Sequence, residues 1–346
     1  MHEALLYTQE GSGLRCGLCS HHCLIAAGKR GLCQVRENRD GKLYSLVYGL
    51  VAAEAADPVE KKPLYHFLPG SRTWSIATQG CNFRCRHCQN HSLSQLARGQ
   101  VPAGRPRSAQ EVVAMARANG CQSISYTYSE PTIFFEFAED CALAAKEQGL
   151  ANIFVSNGYM SAQAAERAAG SGKWLNAANI DIKAFSEKFY REICGAKLAP
   201  VLETVQRLHS LGVWLEITTL IIPGLNDGEE ELHGLAEFIA GISVDIPWHL
   251  SAFHPAYRLM DAPRTPVESL LQASEIGRSA GLRYVYLGNV QLAGASDTFC
   301  PGCGALLLSR SRYAGNKPGL EGRCPSCGRI IAGCFDTFPR GSVGTM

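Results

Sequence analysis

The sequence predicts an α/β fold, a partial or complete TIM-like (β/α) barrel with a small cysteine-rich appendage at each end. In the middle of the chain, short apolar runs alternate with stretches of helical periodicity, a pattern typical of a parallel sheet with right-handed crossovers. At both ends, cysteines cluster in segments too small to bury a large core of their own. The 346 residues are enough for one large domain with such appendages.

Residues 1–72 are predicted to form a cysteine-rich segment with a β-strand. The cysteines occur in C-G-L-C-S-H-H-C and again at position 33, and the run K-L-Y-S-L-V-Y-G-L-V follows them. Its aromatic and β-branched residues favour a strand. The proline-rich segment P-V-E-K-K-P-L-Y-H-F-L-P-G is predicted to be a connecting loop.

Residues 73–295 are predicted to form the barrel, with the functional residues at the carboxyl ends of its strands. The expected strands are Trp74–Thr78, Ser123–Tyr128, Asn152–Ser156, Ala178–Lys183, Val213–Leu220, Asp245–Ala252 and Leu282–Leu287. The expected helices are Ser108–Asn119, Ile133–Gln148, Ser161–Ser171, Leu198–Leu211, Asp227–Ala240 and Pro266–Ala280. Ser108 and Ser161 suit helix N-caps, and a glycine follows most of these helices as a stop signal.

Residues 296–346 are rich in Gly, Pro and Ser and are predicted to be a zinc-ribbon-like domain that depends on a metal to fold. The two C-x2-C pairs are Cys300, Cys303, Cys324 and Cys327. Four thiolates at this spacing favour a closed tetrahedral zinc site. An auxiliary iron–sulfur cluster is the alternative.

Composition excludes several classes of protein. A net charge of +2 favours no polyanionic partner, and no basic–aromatic pattern indicates nucleic-acid binding. Without a long apolar stretch or a signal-peptide pattern, we expect a cytoplasmic protein with reduced cysteines and no membrane contact. The four cysteines outside the clusters are expected to be ordinary small buried residues: Cys121, Cys141, Cys194 and Cys334.

The chemistry is expected at Cys81, Cys85 and Cys88, which follow the first barrel strand at C-x3-C-x2-C spacing. Three thiolates in one loop can each bind a different iron of a [4Fe–4S] cluster. Such clusters normally have four cysteine ligands, so one iron would stay open for catalysis. The alternative is a structural zinc site completed by His87 or His91.

Cys16, Cys19, Cys23 and Cys33 supply four more thiolates, at C-x2-C-x3-C-x9-C spacing. We expect zinc here, with a second iron–sulfur cluster as the alternative. His21 and His22 are possible substitute ligands or outer partners.

The loop of residues 81–88, at the end of the first strand of a (β/α) repeat, resembles the signature of the radical S-adenosylmethionine (SAM) superfamily. That resemblance implies a barrel of radical SAM type in which the open iron chelates the amino and carboxylate groups of SAM. An electron from the cluster would split the sulfonium, and the 5′-deoxyadenosyl radical would abstract a hydrogen atom from the substrate. The N-terminal set follows no barrel strand and has a fourth cysteine, so it is not assigned to SAM.

Further motifs extend the resemblance. Tyr128-Ser129-Glu130-Pro131 is similar to the G-G-E-P motif, whose glutamate holds the SAM amino group. Ser156-Asn157-Gly158 and Asp181-Ile-Lys183 resemble the S/T-N-G and D-L-K motifs of pyruvate formate-lyase activating enzymes, and Phe253-His254 resembles their F-H. The resemblance thus implies SAM-binding roles for Glu130, Ser156, Asn157, Asp181, Lys183 and His254, with Asp181, Lys183 and His254 also as catalytic candidates.

Three of these motifs also have a structural alternative. Glu130 could be a helix N-terminal charge, Asp181 and Lys183 a structural buried pair, and His254 a packing residue. Glu216 and Thr218 share one face of the fifth strand, which could point into the barrel or away from it. Asn289 is a weaker candidate for the adenine side.

The N-terminal cysteines, the V-E-K-K-P-L-Y-H-F-L-P-G-S run and the C-terminal pairs together resemble the radical SAM member of the AmmeMemoRadiSam system. That group occurs beside Memo-like and AMMECR-like proteins, which are therefore expected partners. The substrate is open between a protein and a small molecule, and activation of a glycyl-radical enzyme is one version. Flavodoxin or ferredoxin is the expected electron donor. The alternative from another class is a zinc-stabilised scaffold protein without radical chemistry.

Overall fold

The amino-terminal region forms two small antiparallel sheets. The computed structural model describes residues 2–311, 314–315 and 322–336. In that part, the first strands are β1 (His2–Glu3), β2 (Tyr7–Glu10), β3 (Gly13–Cys16), β4 (Leu24–Ala26), β5 (Arg36–Arg39), β6 (Lys42–Ser45) and β7 (Leu50–Val51). One sheet has the order β1-β6-β5 and the other β2-β3-β4. Cys16 ends β3 and Cys33 precedes β5, so these sheets anchor both ends of the N-terminal cysteine set.

An eight-stranded sheet dominates the described residues. The strands that follow are β8 (Ala53–Pro58), β9 (Arg72–Ala77), β10 (Arg105–Pro106), β11 (Ser123–Tyr126), β12 (Ala151–Ser156), β13 (Ala177–Asp181), β14 (Trp214–Ile221), β15 (Trp248–Ala252) and β16 (Val285–Gly288). The large sheet has the order β16-β15-β14-β13-β12-β11-β9-β8, while β10 pairs with β7. Its neighbours run parallel except β8, which is antiparallel to β9.

The sheet forms a partial barrel. Its order has two ends, β8 and β16, so hydrogen bonds do not close the described sheet on itself. It nevertheless curls around one interior, because residues at the carboxyl ends of β9, β13 and β16 line the same cavity. The predicted α/β fold is confirmed, and the barrel is the partial one of the two predicted alternatives. Strand β8 was not predicted, because A-E-A-A-D-P lacks β-branched residues and ends in proline.

Helices connect the parallel strands, within a few residues of the predicted bounds. The α-helices of the described chain are α1 (His91–Ser94), α2 (Ala109–Ala118), α3 (Phe135–Glu147), α4 (Ala162–Ala169), α5 (Glu187–Phe189), α6 (Ala199–Ser210), α7 (Glu229–Ile242) and α8 (Val267–Ser279). Ser108 and Glu111 form a capping box at α2, and the Ser161 hydroxyl caps α4. The short helices α1 and α5, two 3-10 turns (Val59–Lys61 and Pro131–Phe134) and one π-helix (Tyr190–Cys194) were not predicted.

The floor segment (residues 59–68) covers the amino end of the strands. It was predicted to be a connecting loop, but its apolar side chains are buried. The packing partners are Val59, Leu64, Phe67 and Leu68 against Ala151, Ile153 and Ala177. Glu216 of β14 fixes its backbone, because Oε2 accepts a hydrogen bond from Tyr65 N at 2.9 Å and Oε1 one from His66 N at 2.8 Å.

The C-terminal cysteine region packs against the floor segment. Its strands are β17 (Thr298–Phe299), β18 (Leu306–Leu308), β19 (Arg310–Ser311) and β20 (Ala314–Gly315). Arg310 Nη2 donates to Tyr65 O at 2.8 Å, and Cys334 N donates to His66 O at 2.7 Å. The region therefore lies at the amino end of the barrel strands. No helix in the described ranges is long and apolar enough to cross a lipid bilayer.

Candidate active site

The cysteine loop (residues 81–88) follows β9 directly and is fixed by its neighbours. Arg84 N donates to Cys194 O at 2.7 Å and Arg86 N to Ile193 O at 2.9 Å. Both acceptors belong to the π-helix, a distortion that is frequent at functional sites. The loop is therefore held by backbone contacts from the segment after β13.

Cys81, Cys85 and Cys88 all line one cavity of about 410 Å³ at the carboxyl end of the strands. Cys81 and Cys85 are buried and Cys88 is partly exposed. Phe83 N donates to Cys81 Sγ at 3.3 Å, and Ser94 Oγ lies 3.1 Å from Cys88 Sγ. Burial raises the pKa of Cys81 well above its usual range, so a cation is needed to stabilise the thiolate.

The ligand atoms around this loop do not form a compact single-ion group. Among the described residues, the compact group of three or more His, Cys, Asp or Glu ligand atoms is at the C-terminal cysteines, where four sulfurs lie within 4.8 Å of one another. His87 lines the cavity, and burial lowers its pKa to about 3. The His91 ring stacks on Tyr257 with centroids 4.6 Å apart. This arrangement does not favour a zinc ion bound by the loop cysteines and either histidine.

Glu130 is buried at the wall of the cavity with an uneven set of partners. Among the described residues, its Oε1 accepts hydrogen bonds from Thr132 N at 3.0 Å, Thr132 Oγ1 at 2.6 Å and Ser156 Oγ at 2.7 Å. Its Oε2 accepts one, from Asn157 N at 2.8 Å. Burial raises the pKa of Glu130. A carboxylate offers about four acceptor sites, so Oε2 has capacity for another donor.

The predicted S-N-G turn after β12 connects Glu130 with the cysteine loop. Asn157 Nδ2 donates to Asn82 Oδ1 at 2.7 Å and lies 3.8 Å from Cys81 Sγ. Gly158 has φ of 70°, and a Cβ there would lie 2.8 Å from Ile180 Cγ2. Glycine is therefore required for the turn that presents Asn157 to the loop.

Tyr128 stands where the G-G-E-P motif has a glycine, and its backbone keeps the glycine conformation, with φ of 62°. Its hydroxyl donates to Asp57 of β8. Lys62 Nζ lies 4.5 Å from the centre of its ring and 2.7 Å from Asp57 Oδ2. The strained residue is thus held by β8 and the floor segment, and both Lys62 and Tyr128 line the cavity.

Asp181 and Lys183 also line the cavity and form an ion pair with 2.6 Å between Lys183 Nζ and Asp181 Oδ2. Burial lowers the pKa of Lys183, but Asp181 and Cys85 more than offset it and the pKa is raised. Lys183 N also donates to the Tyr190 hydroxyl of the π-helix at 3.0 Å. Both side chains point into the barrel, as strand parity predicts.

His254 is the predicted site residue that the structure separates from the others. It is not among the described residues that line the cavity, and its Nδ1 accepts a hydrogen bond from Arg264 Nε at 2.8 Å. Its role stays a prediction. Thr218 and Asn289 do line the cavity, whereas Glu216 shares the inward face of β14 with Thr218 but lies one layer deeper, toward the floor segment.

Sequence reasoning missed two contributors. Lys62 was assigned to a loop, where lysine is ordinarily exposed, and nothing in the local sequence marks it as buried. Cys194 was expected to be an ordinary buried cysteine, but its thiol contacts Cys85, and this contact together with burial raises the pKa of Cys85. Nothing in its spacing indicates that contact.

The two flanking cysteine sets are assembled differently. At the C-terminal set, the Sγ atoms of Cys300 and Cys327 lie 3.6 Å apart, as do those of Cys303 and Cys324. All four lie within 4.8 Å of one another and can bind one metal ion. The N-terminal set surrounds a second, small cavity that borders the cysteine loop, lined by Cys16, Cys19, Cys23 and Cys33.

Comparison with known proteins places this site in a family. The sequence model of the radical SAM superfamily matches residues 75–239. An uncharacterized protein of Methanocaldococcus jannaschii is 41% identical over 336 residues, covering 96% of this chain and 99% of the relative. The pyruvate formate-lyase-activating enzyme of Clostridium pasteurianum is 26% identical over 182 residues, covering 50% of this chain and 71% of that enzyme.

Among solved structures, Streptococcus suis SuiB bound to S-adenosylmethionine has a TM-score of 0.49 and 15% identity. The match covers 67% of this chain and 53% of that chain, so this chain spans about half the length of SuiB. Membership of this family implies SAM and an iron–sulfur cluster as cofactors. Of the two predicted classes, it supports the radical enzyme and not the scaffold protein. The chain belongs to the radical SAM superfamily and is an enzyme.

Proposed function

We propose that the enzyme reductively cleaves SAM at a [4Fe–4S] cluster bound by Cys81, Cys85 and Cys88, and that the resulting radical abstracts a hydrogen atom from a substrate, for which a protein and a small molecule both stay open. The observation that carries the proposal is the meeting of these thiols with Glu130 and Lys183 in one cavity. Thiols that share a cavity without forming a single-ion group suit a cluster, in which each thiolate binds a different iron. When bound, the cluster would supply the electron that splits the sulfonium, and its open iron would chelate SAM.

Glu130 would orient the amino group of SAM through Oε2. Its Oε1 is engaged by Thr132 and Ser156, so the carboxylate cannot rotate away without losing three hydrogen bonds. Oε2 keeps acceptor capacity beside Asn157. A charge-assisted bond to an ammonium there is worth about 1.5–3 kcal/mol.

Lys183 and Asp181 would hold the other side of SAM. The Lys183 ammonium is directed into the cavity and interacts electrostatically with Cys85. That charge favours the Cys85 thiolate and would attract the SAM carboxylate. Asn289, at the end of β16, would contact the adenine side.

Metal and product analysis of anaerobic protein tests this function. The wild type, reduced with dithionite, should convert SAM to 5′-deoxyadenosine. Cys85→Ala should lose about four irons per chain and all cleavage. Cys121→Ala, which removes a buried cysteine outside the cavity, should keep both. Unchanged iron in Cys85→Ala, or no cleavage by the reduced wild type, would contradict the proposal.

For the C-terminal cysteines we propose structural zinc. A tetrahedral site with bonds of about 2.3 Å spaces its sulfurs by about 3.8 Å. The observed 3.6 Å contacts support such a site. Cys324→Ala should lose about one zinc per chain and keep the iron; loss of iron instead of zinc would assign an iron–sulfur cluster there.

Activation of a glycyl-radical enzyme is the second candidate, because the similar C. pasteurianum protein is named as an activating enzyme. The alternative context is the AmmeMemoRadiSam system, in which Memo-like and AMMECR-like proteins would be partners. Likeness along nearly the whole chain to the M. jannaschii protein supports a dedicated family with both appendages. SAM cleavage coupled to formation of a glycyl radical would support the activase. SAM cleavage stimulated by a Memo-like or AMMECR-like protein would support the AmmeMemoRadiSam context.

A further inference from the structure

The N-terminal cysteine set borders the active site and is built around a cavity of its own. Cys16, Cys19, Cys23 and Cys33 line a small enclosed space of about 10 Å³, together with the apolar side chains of Leu18, Ile25, Leu32 and Ile133. Cys16 N donates to Cys23 O at 2.9 Å, which holds two of the four thiols in one turn. The thiols thus surround a space that admits about one water molecule.

The spacing of these thiols distinguishes them from the C-terminal set. A zinc ion with four thiolates needs sulfurs about 3.8 Å apart, which leaves no space between them for a water molecule. All four C-terminal sulfurs lie within 4.8 Å of one another, whereas the N-terminal set is not among the compact ligand groups of the described residues. A cubane cluster holds its ligands farther apart, because each thiolate binds a different iron. The geometry favours the cluster over the zinc ion expected from sequence.

Unpartnered donors face the same cavity. Arg36 is 2% exposed; its Nη2 bonds Leu5 O and Glu136 Oε1, but its Nε and Nη1 have no hydrogen-bond partner among the described residues. Asn82 Nδ2, also buried, has none there either. Buried donors without acceptors are costly. The sulfur atoms of a bound cluster would accept these hydrogen bonds.

The second cavity shares a wall with the first. Asn82 lines the second cavity, and its chain neighbour Cys81 lines the first. A Cβ on Gly80, which precedes Cys81, would lie 3.1 Å from Cys33 O and 2.7 Å from Val35 Cγ1. The two cysteine loops are therefore in van der Waals contact, which is close enough for an electron to pass between clusters bound at the two sites.

We propose that Cys16, Cys19, Cys23 and Cys33 bind a second [4Fe–4S] cluster that relays single electrons to the cluster at Cys81, Cys85 and Cys88. The relay rests on the proposed function. A low-potential one-electron donor protein reduces the second cluster by one electron. The second cluster is reoxidised when that electron moves to the first cluster and from there to the SAM sulfonium. No atoms are transferred in the relay.

The decisive test uses the full-length triple variant Cys81→Ala/Cys85→Ala/Cys88→Ala, reconstituted anaerobically with ferrous iron and sulfide. It should keep about four irons and four sulfides per chain and, when reduced, show the electron paramagnetic resonance signal of a [4Fe–4S]⁺ cluster that SAM does not perturb. A triple variant without iron but with about two zinc ions would overturn the second cluster. That result would leave the proposed function intact if the wild type still cleaves SAM.

The converse variant, Cys23→Ala/Cys33→Ala, tests the relay. It should keep about four irons, with a signal that SAM does perturb. With a reduced flavodoxin as donor, 5′-deoxyadenosine formation should fall by about tenfold or more, whereas with dithionite it should fall by less than about threefold. Equal loss with both reductants would overturn the relay. The matched control Cys121→Ala should behave as wild type with both.

Discussion

Two buried glutamates at opposite ends of the barrel show how the same side chain serves two purposes. Glu216, near the amino end, accepts two hydrogen bonds at each oxygen from described residues: His66 N and Trp214 Nε1 at Oε1, and Tyr65 N and His249 Nε2 at Oε2. Glu130, near the carboxyl end, accepts three at Oε1 and one at Oε2. Glu216 is evenly saturated by the fold, whereas Glu130 keeps an acceptor site toward the cavity.

The difference separates a structural end of the barrel from a reactive end. At the amino end, the carboxylate ties the floor segment to β14, and the C-terminal cysteine region packs below it. At the carboxyl end, strand-end residues face a cavity with donors and acceptors that the protein does not fully use. The N-terminal cysteine set adjoins that reactive end, which is why we assign it to electron transfer and the C-terminal set to stability.

The largest expected effect is the loss of stability in Glu216→Gln. The amide group would face backbone donors that need an acceptor, and breaking such a buried network costs about 3 kcal/mol. The free energy of unfolding, from urea midpoints of anaerobic protein, should fall by that amount, while SAM affinity of the folded protein should not change. Glu203→Gln, on the exposed face of α6, is the control and should change stability by less than about 0.5 kcal/mol. A large loss of SAM affinity in Glu216→Gln would break the comparison.

Glu130→Gln should show the opposite pattern. The amide oxygen can keep the Oε1 contacts, but the NH₂ group replaces the acceptor that we assign to the SAM ammonium. Loss of one charge-assisted bond predicts a roughly 10- to 100-fold weaker Kd for SAM, measured by calorimetry, and about 1 kcal/mol lower stability. If SAM binds Glu130→Gln as it binds the wild type, Glu130 serves only as the N-cap of the turn at Pro131.

How far the sequence could predict this site depends on the range of the contacts. Cysteine spacing, strand ends and strand parity are local, so Cys81, Asp181 and Lys183 could be assigned to one site from the sequence alone, and all three line one cavity. Lys62 and Cys194 could not, because their positions depend on strand pairing and a π-helix that bring distant segments together. Local patterns carry no information about such contacts.

The metal bound by the N-terminal cysteines also could not be predicted from local sequence patterns. Their count and spacing suit both zinc and a cluster, so the sequence left the metal open. The distances between sulfurs depend on how β3 and β5 approach each other across two sheets, which spacing does not encode. His254 is the reverse case, since a two-residue motif suggested a site residue that lies outside the cavity lining of the described chain.

Lys183→Met should weaken SAM binding by about tenfold, a smaller effect than at Glu130 because Lys183 Nζ shares its charge with Asp181. The methionine keeps the volume and removes the ammonium. Iron content should stay at the wild-type level, which distinguishes a loss of substrate contact from a loss of the cluster. Lys173→Met, at the partly buried Lys173 outside the cavity, is the control. Equal Kd values for the two variants would remove Lys183 from the SAM site.

The smallest expected effect is a difference in how Glu216 and Glu130 make the stability of the protein depend on pH. Burial raises the pKa of Glu216, but His249 and His66 more than offset it, so the folded pKa lies below the ordinary value. The stability that its charge supplies is therefore complete above the unfolded pKa of about 4.3 and is lost only below it.

Burial raises the pKa of Glu130 above the ordinary value, so its charged form costs stability, and protonation relieves that cost as pH falls toward 4.3. Between pH 7 and pH 5, titration of Glu216 itself should add no change to stability, while protonation of Glu130 should raise the stability of the wild type relative to Glu130→Gln. Urea midpoints at the two pH values measure both differences. Parallel changes in the two variants would mean that the two carboxylates do not differ in their charge environment.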